Sequence, residues 1–221
     1  MRKRANFKTF LKRNPHCWLL LYFPVYILSF FLIEHNIGGD YWVSYLPLDD
    51  KIPFLEIFVI PYYLWYPFLG VTALYFVMAD PPVFRHYMYF MMLGMTLSLL
   101  ICVLFPNGQD LRPDTFEREN LFSALVGVIY RVDNNLNVFP SMHVVGSWAV
   151  VGAWFHSDKP RRKGLVRGVA LTLAVLISAS TVLIKQHSIL DVIGSVVLCV
   201  PLDLLLYGKF RRKNRQHHSD K

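Results

Sequence analysis

Six long apolar stretches, separated by short charged connections, decide what this chain can fold into. A transmembrane helix needs about 20 mostly apolar residues. Residues 17–33, 57–78 (in a segment opening near Pro53), 87–105, 141–156, 168–184 and 187–207 meet or approach that length. The fourth is the shortest, with room to extend into its flanking loops. Only 17% of the 221 residues are charged and mean hydropathy is +0.36, whereas soluble domains carry nearer a quarter of their residues as charges. A disordered chain is excluded by this apolarity. The three cysteines, Cys17, Cys102 and Cys199, are too few for a disulfide-stapled module and read as small core residues within apolar runs. The first span follows a basic stretch, as a signal peptide would. Glu34, His35 and Asn36 stand where a small-residue cleavage site would be, so a retained helix is expected. The fold class expected is an all-α integral membrane protein, a six-transmembrane-helix bundle.

Orientation follows from lysine and arginine in the short connections. Arg2, Lys3, Arg4, Lys8, Lys12 and Arg13 precede the first span; Lys159, Arg161, Arg162 and Lys163 lie between the fourth and fifth; Lys209, Arg211, Arg212, Lys213 and Arg215 follow the sixth. Six crossings put all three clusters on one face, which predicts cytoplasmic N- and C-termini in the cell membrane. The first connection, with Glu34, Asp40, Asp49, Asp50 and Lys51, falls outside, as does the long third connection, residues 106–140. This divides the chain into a basic segment (1–16), a membrane domain (17–207) and a basic tail (208–221). Basic clusters so placed are topology signals and anionic-lipid contacts, and no nucleic-acid partner is expected. Residues 121–131 are apolar enough for a short helix on the membrane surface. Tyr62, Tyr63, Trp65 and Tyr66 read as membrane-interface anchors, the alternative being a lipid groove.

Polar and ionisable groups within or beside spans are costly and point to function. Arg112 lies in the third connection, Ser141 and His143 open the fourth span, Ser180 and Thr181 end the fifth, and Lys185, His187 and Asp191 turn into the sixth. The expected topology brings all of these to one depth on the outer side. His187 and Asp191, four residues apart, share a helix face. A carboxylate on one imidazole nitrogen fixes the tautomer and leaves the other as base or nucleophile. His143 is placed as a second acid or base. Ser141 suits an N-cap, and the free amides of the turn it opens suit an anion. Arg112 and Lys185 offer positive charge for phosphoryl oxygens. Each group also has a plain reading: an interfacial histidine, a cap, a snorkelling lysine, or Arg112 paired with Asp110 or Asp114. Together they fit a phosphoryl-transfer site.

These residues resemble a known family. Pro140-Ser141-Met142-His143 resembles the Pro-Ser-Gly-His motif of the type 2 phosphatidic acid phosphatase (PAP2) superfamily. Ser180-Thr181 with His187 and Asp191 matches the spacing of its third motif (Ser-Arg, five residues, His, three residues, Asp), and Arg112-Pro113 resembles the end of its first (Lys, six residues, Arg-Pro). The likeness spans about residues 105–191. It implies that His187 attacks phosphorus to form a phosphohistidine, Asp191 orients it, and His143 protonates the leaving oxygen and then activates water. It also implies that Arg112, Ser141 and backbone amides hold the phosphoryl oxygens, with Ser180, Thr181 and Lys185 beside them. No cofactor or metal is implied, and the sequence offers no metal-ligand cluster. Phe105, Met142 and Thr181 stand where the family motifs carry Lys, Gly and Arg; Lys185, a helical turn after Thr181, is the candidate replacement cation.

The expected function is therefore an integral-membrane lipid phosphatase acting on a lipid phosphate monoester or polyprenyl diphosphate. Two alternatives remain: a phosphotransferase resembling the inositol phosphorylceramide and sphingomyelin synthases, and a transporter or anionic-lipid-binding protein without turnover. Lys185 and Arg112 pointing away from His187 would favour binding without turnover. No sequence feature bears on oligomeric state.

Overall fold

A computed structural model describes residues 11–36 and 40–219, with side chains of 11–33 and 40–208. The basic residues Arg2, Lys3, Arg4 and Lys8, and the side chains of Glu34, Lys209, Arg211, Arg212, Lys213 and Arg215, lie outside the described residues. A 3-10 turn, Pro15–Leu21, leads into α1 (Tyr22–Asn36). There follow β1 (Trp42–Val43), α2 (Val59–Ala79), α3 (Pro81–Leu104), β2 (Asn107–Gly108), α4 (Leu121–Val132), α5 (Met142–His156), α6 (Lys163–Leu183) and α7 (Ile189–Ser219). The chain is mostly helical, as its apolar runs predict.

Among the described residues, five helices are long and apolar enough to cross a membrane: Pro15–Ile33, Glu56–Ala79, Pro81–Leu104, Lys163–Leu183 and Ile189–Gly208. The fourth apolar stretch forms a helix over almost the residues its run marks, without extending into the flanking loops. α5 has 15 residues, about 22 Å at 1.5 Å per residue. Pro140 and Ser141 precede its first turn, and Ser157 ends it. Its surroundings explain the shortness. α5 packs against α2, α3, α6 and α7 and buries Val144, Val145, Gly146, Ser147, Ala149, Val150, Gly152 and Ala153. A helix enclosed by other helices need not match the hydrocarbon thickness, because its ends meet protein.

The outer helices carry the apolar surface. Val25, Leu28, Val71, Leu74, Leu104, Val175, Val197 and Leu204 are all exposed, as side chains facing lipid would be. Inside, one cluster joins Phe76, Phe84, Tyr87, Phe90, Met91, Val145, Ala149 and Tyr207. A second, Val59, Tyr62, Val126, Ile129 and Ile184, sits beneath α4. The three cysteines are free, with Cys102 and Cys199 buried.

α4 forms where a surface helix is expected. Asn120 and Ser123 make a reciprocal capping box. Val126 and Ile129 face the core while Leu121, Val128 and Val132 are exposed. The two strands were not legible in the apolar pattern. β1 and β2 pair in parallel, Trp42 with Asn107 and Val43 with Gly108. This ribbon stitches the first connection to the third at one end of the bundle.

Candidate active site

Local chemistry sets the turn that carries His187. α6 ends in a Schellman arrangement: Gln186 N–H donates to the Thr181 carbonyl (2.9 Å) and Lys185 N–H to that of Val182 (3.1 Å). The left-handed position, usually glycine, is Lys185 at φ 56°, a conformation that costs a side-chain-bearing residue about 1–2 kcal/mol. His187 N–H joins the same Thr181 carbonyl at 3.0 Å, so the end of α6 aims the imidazole.

His187 and Asp191 meet as their spacing predicts. His187 Nδ1 lies 3.1 Å from Asp191 Oδ2, and the acceptor-only carboxylate places the proton on Nδ1 and leaves the Nε2 lone pair open. Ser188 N–H donates to the same oxygen at 3.0 Å. The His143 ring stands 5.9 Å from that of His187, centroid to centroid, at 66°. Ser195 holds the two helices in register, its hydroxyl within 3.0 Å of the Ser141 carbonyl and 2.7 Å of the Asp191 carbonyl.

Other expected site residues are placed differently. Ser141 occupies the N-cap position of α5, but its side chain makes no capping bond. Its Oγ is buried with no hydrogen-bond partner among the described residues, as is His143 Nε2. Ser180 and Thr181 are fully buried and turn their hydroxyls back onto the carbonyls of Ile177 (2.6 Å) and Ser178 (2.8 Å). Lys185 is not aimed at His187. Its ammonium donates to the carbonyls of Asp49 (2.8 Å) and Ile52 (2.7 Å). Burial lowers its pKa below the ordinary lysine value, opposed by Asp49 and Asp50. It braces the first connection against the helix turn, where the sequence suggested a phosphate ligand. Arg112 lies 4.5 Å over the Tyr130 ring and donates to the carbonyls of Tyr130, Asp133 and Asn134, not to Asp110 or Asp114 in those bonds. Asp133, whose carbonyl Arg112 holds, also meets the Tyr62 hydroxyl through its carboxylate at 3.5 Å.

The residues that enclose His143, Tyr62 and Trp65, were read from sequence as membrane-interface anchors or a lipid groove, not as part of the site. The imidazole lies 4.3 Å from Tyr62 and 4.5 Å from Trp65. The available signal was their spacing, since positions three apart share a helix face. The anchor reading fails for these two because they turn inward. The first connection also enters the site. Ser44 Oγ donates to Asp191 Oδ1. Buried Asp49 accepts from Ser188 Oγ (2.6 Å), Ile189 N–H (2.8 Å) and Leu46 N–H (2.8 Å).

An apolar groove of about 680 Å³ opens beside this cluster, between α5, α6 and α7. Val144, Ser147 and Trp148 form one wall, with Ala179, Leu183 and Val192 opposite. Val144 and Val192 directly follow His143 and Asp191, so one end of the groove lies at the same height along α5 and α7 as these two residues, which do not themselves line it. Among the described residues no group of three or more His, Cys, Asp or Glu side chains is arranged to hold a metal ion.

Comparison with curated proteins and with solved structures gave no significant match. The family model of the PAP2 superfamily, which comprises phosphatases and phosphotransferases, matches residues 28–202. That match covers most of the membrane helices and both histidine-bearing segments, and the chain belongs to the PAP2 superfamily.

Proposed function

We propose that this protein is a lipid phosphatase of the cell membrane that cleaves a lipid phosphate monoester or polyprenyl diphosphate through a phosphohistidine on His187. The observation that carries this reading is the His187–Asp191 pair, 3.1 Å apart, facing His143 across 5.9 Å. Nε2 of His187 attacks phosphorus, the phosphorus–oxygen bond to the leaving group breaks, and His143 gives that oxygen a proton. Water then loses a proton to His143 and attacks the phosphoryl group. The phosphorus–nitrogen bond breaks, phosphate leaves and His187 is regenerated. The unpartnered Ser141 hydroxyl and the first-turn amides of α5 hold the phosphoryl oxygens. Arg112 braces the third connection through the carbonyls of Tyr130, Asp133 and Asn134, and Ser180, Thr181 and Lys185 shape the turn.

In this reading α5 is a short central crossing between five longer ones, both termini are cytoplasmic, and the site faces outward. The groove beside it admits a lipid chain sideways from the bilayer. A second reading, transfer of the phosphoryl-bearing group to an alcohol, is favoured by one observation. Phe105 and Thr181 replace two motif cations. The Lys185 ammonium and Arg112 guanidinium donate to backbone carbonyls instead of facing His187, which favours a third reading, anionic-lipid binding without turnover.

The deciding experiment is phosphate release by the purified protein in detergent with chelator present. Phosphatidic acid, phosphatidylglycerol phosphate and a polyprenyl diphosphate are the substrates. Release that His187→Ala abolishes, with its thermal unfolding unchanged, is the expected result. No release, but head-group exchange with an alcohol, supports the transferase. Neither reaction leaves a binding protein without turnover.

A further inference from the structure

We propose that Ser44, in the first connection, is a positioning residue for the His187–Asp191 pair. The proposal rests on the catalytic reading of that pair. Asp191 is fully buried, and its carboxylate divides its contacts. Oδ2 faces His187 Nδ1 and Ser188 N–H, while Oδ1 takes the Ser44 hydroxyl. The last side-chain torsion of a carboxylate is broad and two-fold, so bonds on both oxygens are what hold its plane. Ser44 supplies the bond on the side away from His187 and so fixes the plane in which the carboxylate meets the imidazole. That plane sets the ring's aim and keeps the proton on Nδ1, the tautomer in which Nε2 can attack.

The backbone delivers Ser44 to this point without slack. Ser44 directly follows β1, and its own N–H donates to the Gly108 carbonyl at 2.8 Å, continuing the ribbon. Five residues later Asp49 grips the start of α7 through Ser188 Oγ and Ile189 N–H. The Lys185 ammonium closes the other side on the Asp49 and Ile52 carbonyls. The first connection thus holds the nucleophile-bearing turn at Lys185, Ser188, Ile189 and Asp191. None of the three motifs includes this connection.

The test needs one readout that requires no substrate. In protein labelled with ¹⁵N-histidine, His187 in the wild type should show the Nδ1–H tautomer. Ser44→Ala should shift it towards a mixture, with His143 as internal reference. With phosphatidic acid as probe, Ser44→Ala should lower kcat about 10- to 100-fold, as loss of an outer partner of a functional histidine does, and leave KM within about twofold. Ser44→Thr, which keeps the hydroxyl, should restore most of the rate. In an Asp191→Asn background, Ser44→Ala should cost nothing further, because the two act as a unit. Tyr45→Phe, at the exposed neighbouring position, should match wild type. An unchanged His187 tautomer in Ser44→Ala overturns the proposal, and so does an undiminished additional loss in the double variant. Should Ser44→Ala fail to fold, Ser44→Cys, of similar size and a weak donor, carries the same test. Wild-type protein that turns over no phosphate ester sinks the enzymatic reading, while the tautomer measurement still decides the role of Ser44.

Discussion

His143 lies in a slot between two aromatic faces, and a missing side chain makes the slot possible. A Cβ at Gly146 would sit 2.9 Å from Trp65 Nε1 and 3.0 Å from its ring, so only glycine lets the indole lie this close to α5. Gly146→Ala therefore opposes two effects. Alanine favours the helix by about 1 kcal/mol, but overpacking costs about 1–3 kcal/mol, and the net expectation is a slightly lower Tm. The displaced indole unseats His143, and turnover should fall about tenfold, within the range a general acid or base contributes. Loss of rate should accompany a change in tryptophan fluorescence; a changed spectrum with full activity would mean that Trp65 does not position His143. Residues whose role depends on local spacing were legible from sequence: His187 with Asp191, and Ser141 ahead of His143. Ser44 was not, because its partner lies 147 positions away. For Lys185 and Arg112 the sequence shows charge but not the carbonyls that consume it. A cation near a histidine therefore reads as a ligand until its hydrogen bonds are counted.

At the scale of elements, hydropathy located every long helix, because a lipid-facing helix must be apolar along its whole length. It also placed α5 at its observed residues, but not the neighbours that enclose it, which no window along the chain can see. The Schellman end of α6 was hidden for a related reason, since Lys185 replaces the glycine that normally marks it. The groove between α5, α6 and α7 depends equally on tertiary packing. Its small residues, among them Ala174, Ser178 and Ala179, leave the depression, and Val144 and Val192 at one end follow His143 and Asp191 in the chain. If it holds a lipid chain, filling it should discriminate by chain length. Ala179→Phe should raise KM for a long-chain lipid phosphate by about tenfold, on the scale of a lost apolar contact. A short-chain soluble ester, which does not reach the groove, should keep its KM. Equal losses on both substrates would show that Ala179→Phe damages the site itself and that the groove does not hold the chain.

For the whole molecule, the two ends of the bundle carry different chemistry. One end gathers Ser44, Asp49, Arg112, His143, His187 and Asp191, joined by the β1–β2 ribbon and the hydrogen bonds of the first connection. The other gathers Ser157, bonded to Asp80 at 2.7 Å, and Arg167, bonded to the Ser157 carbonyl at 3.2 Å, beside Lys159, Arg161 and Arg162. The positive-inside rule predicts that the second end is cytoplasmic, and that orientation requires α5 to cross. That condition can be measured. Lys51 and Lys159 are both exposed, and cysteine at either can be labelled with a membrane-impermeant maleimide, in a Cys17→Ser background because the other two cysteines are buried. Lys51→Cys should react in intact cells and Lys159→Cys only after permeabilisation. The reversed pattern would turn the site towards the cytoplasm and change which leaflet supplies its lipid. Labelling of both from outside would mean that the 15-residue α5 enters and returns without crossing, leaving five crossings and the C-terminus outside. Opposite-side labelling requires an odd number of crossings between residues 51 and 159. With α2 and α3 accounting for two, the third is α5, and the short helix that carries His143 then completes the six-span topology.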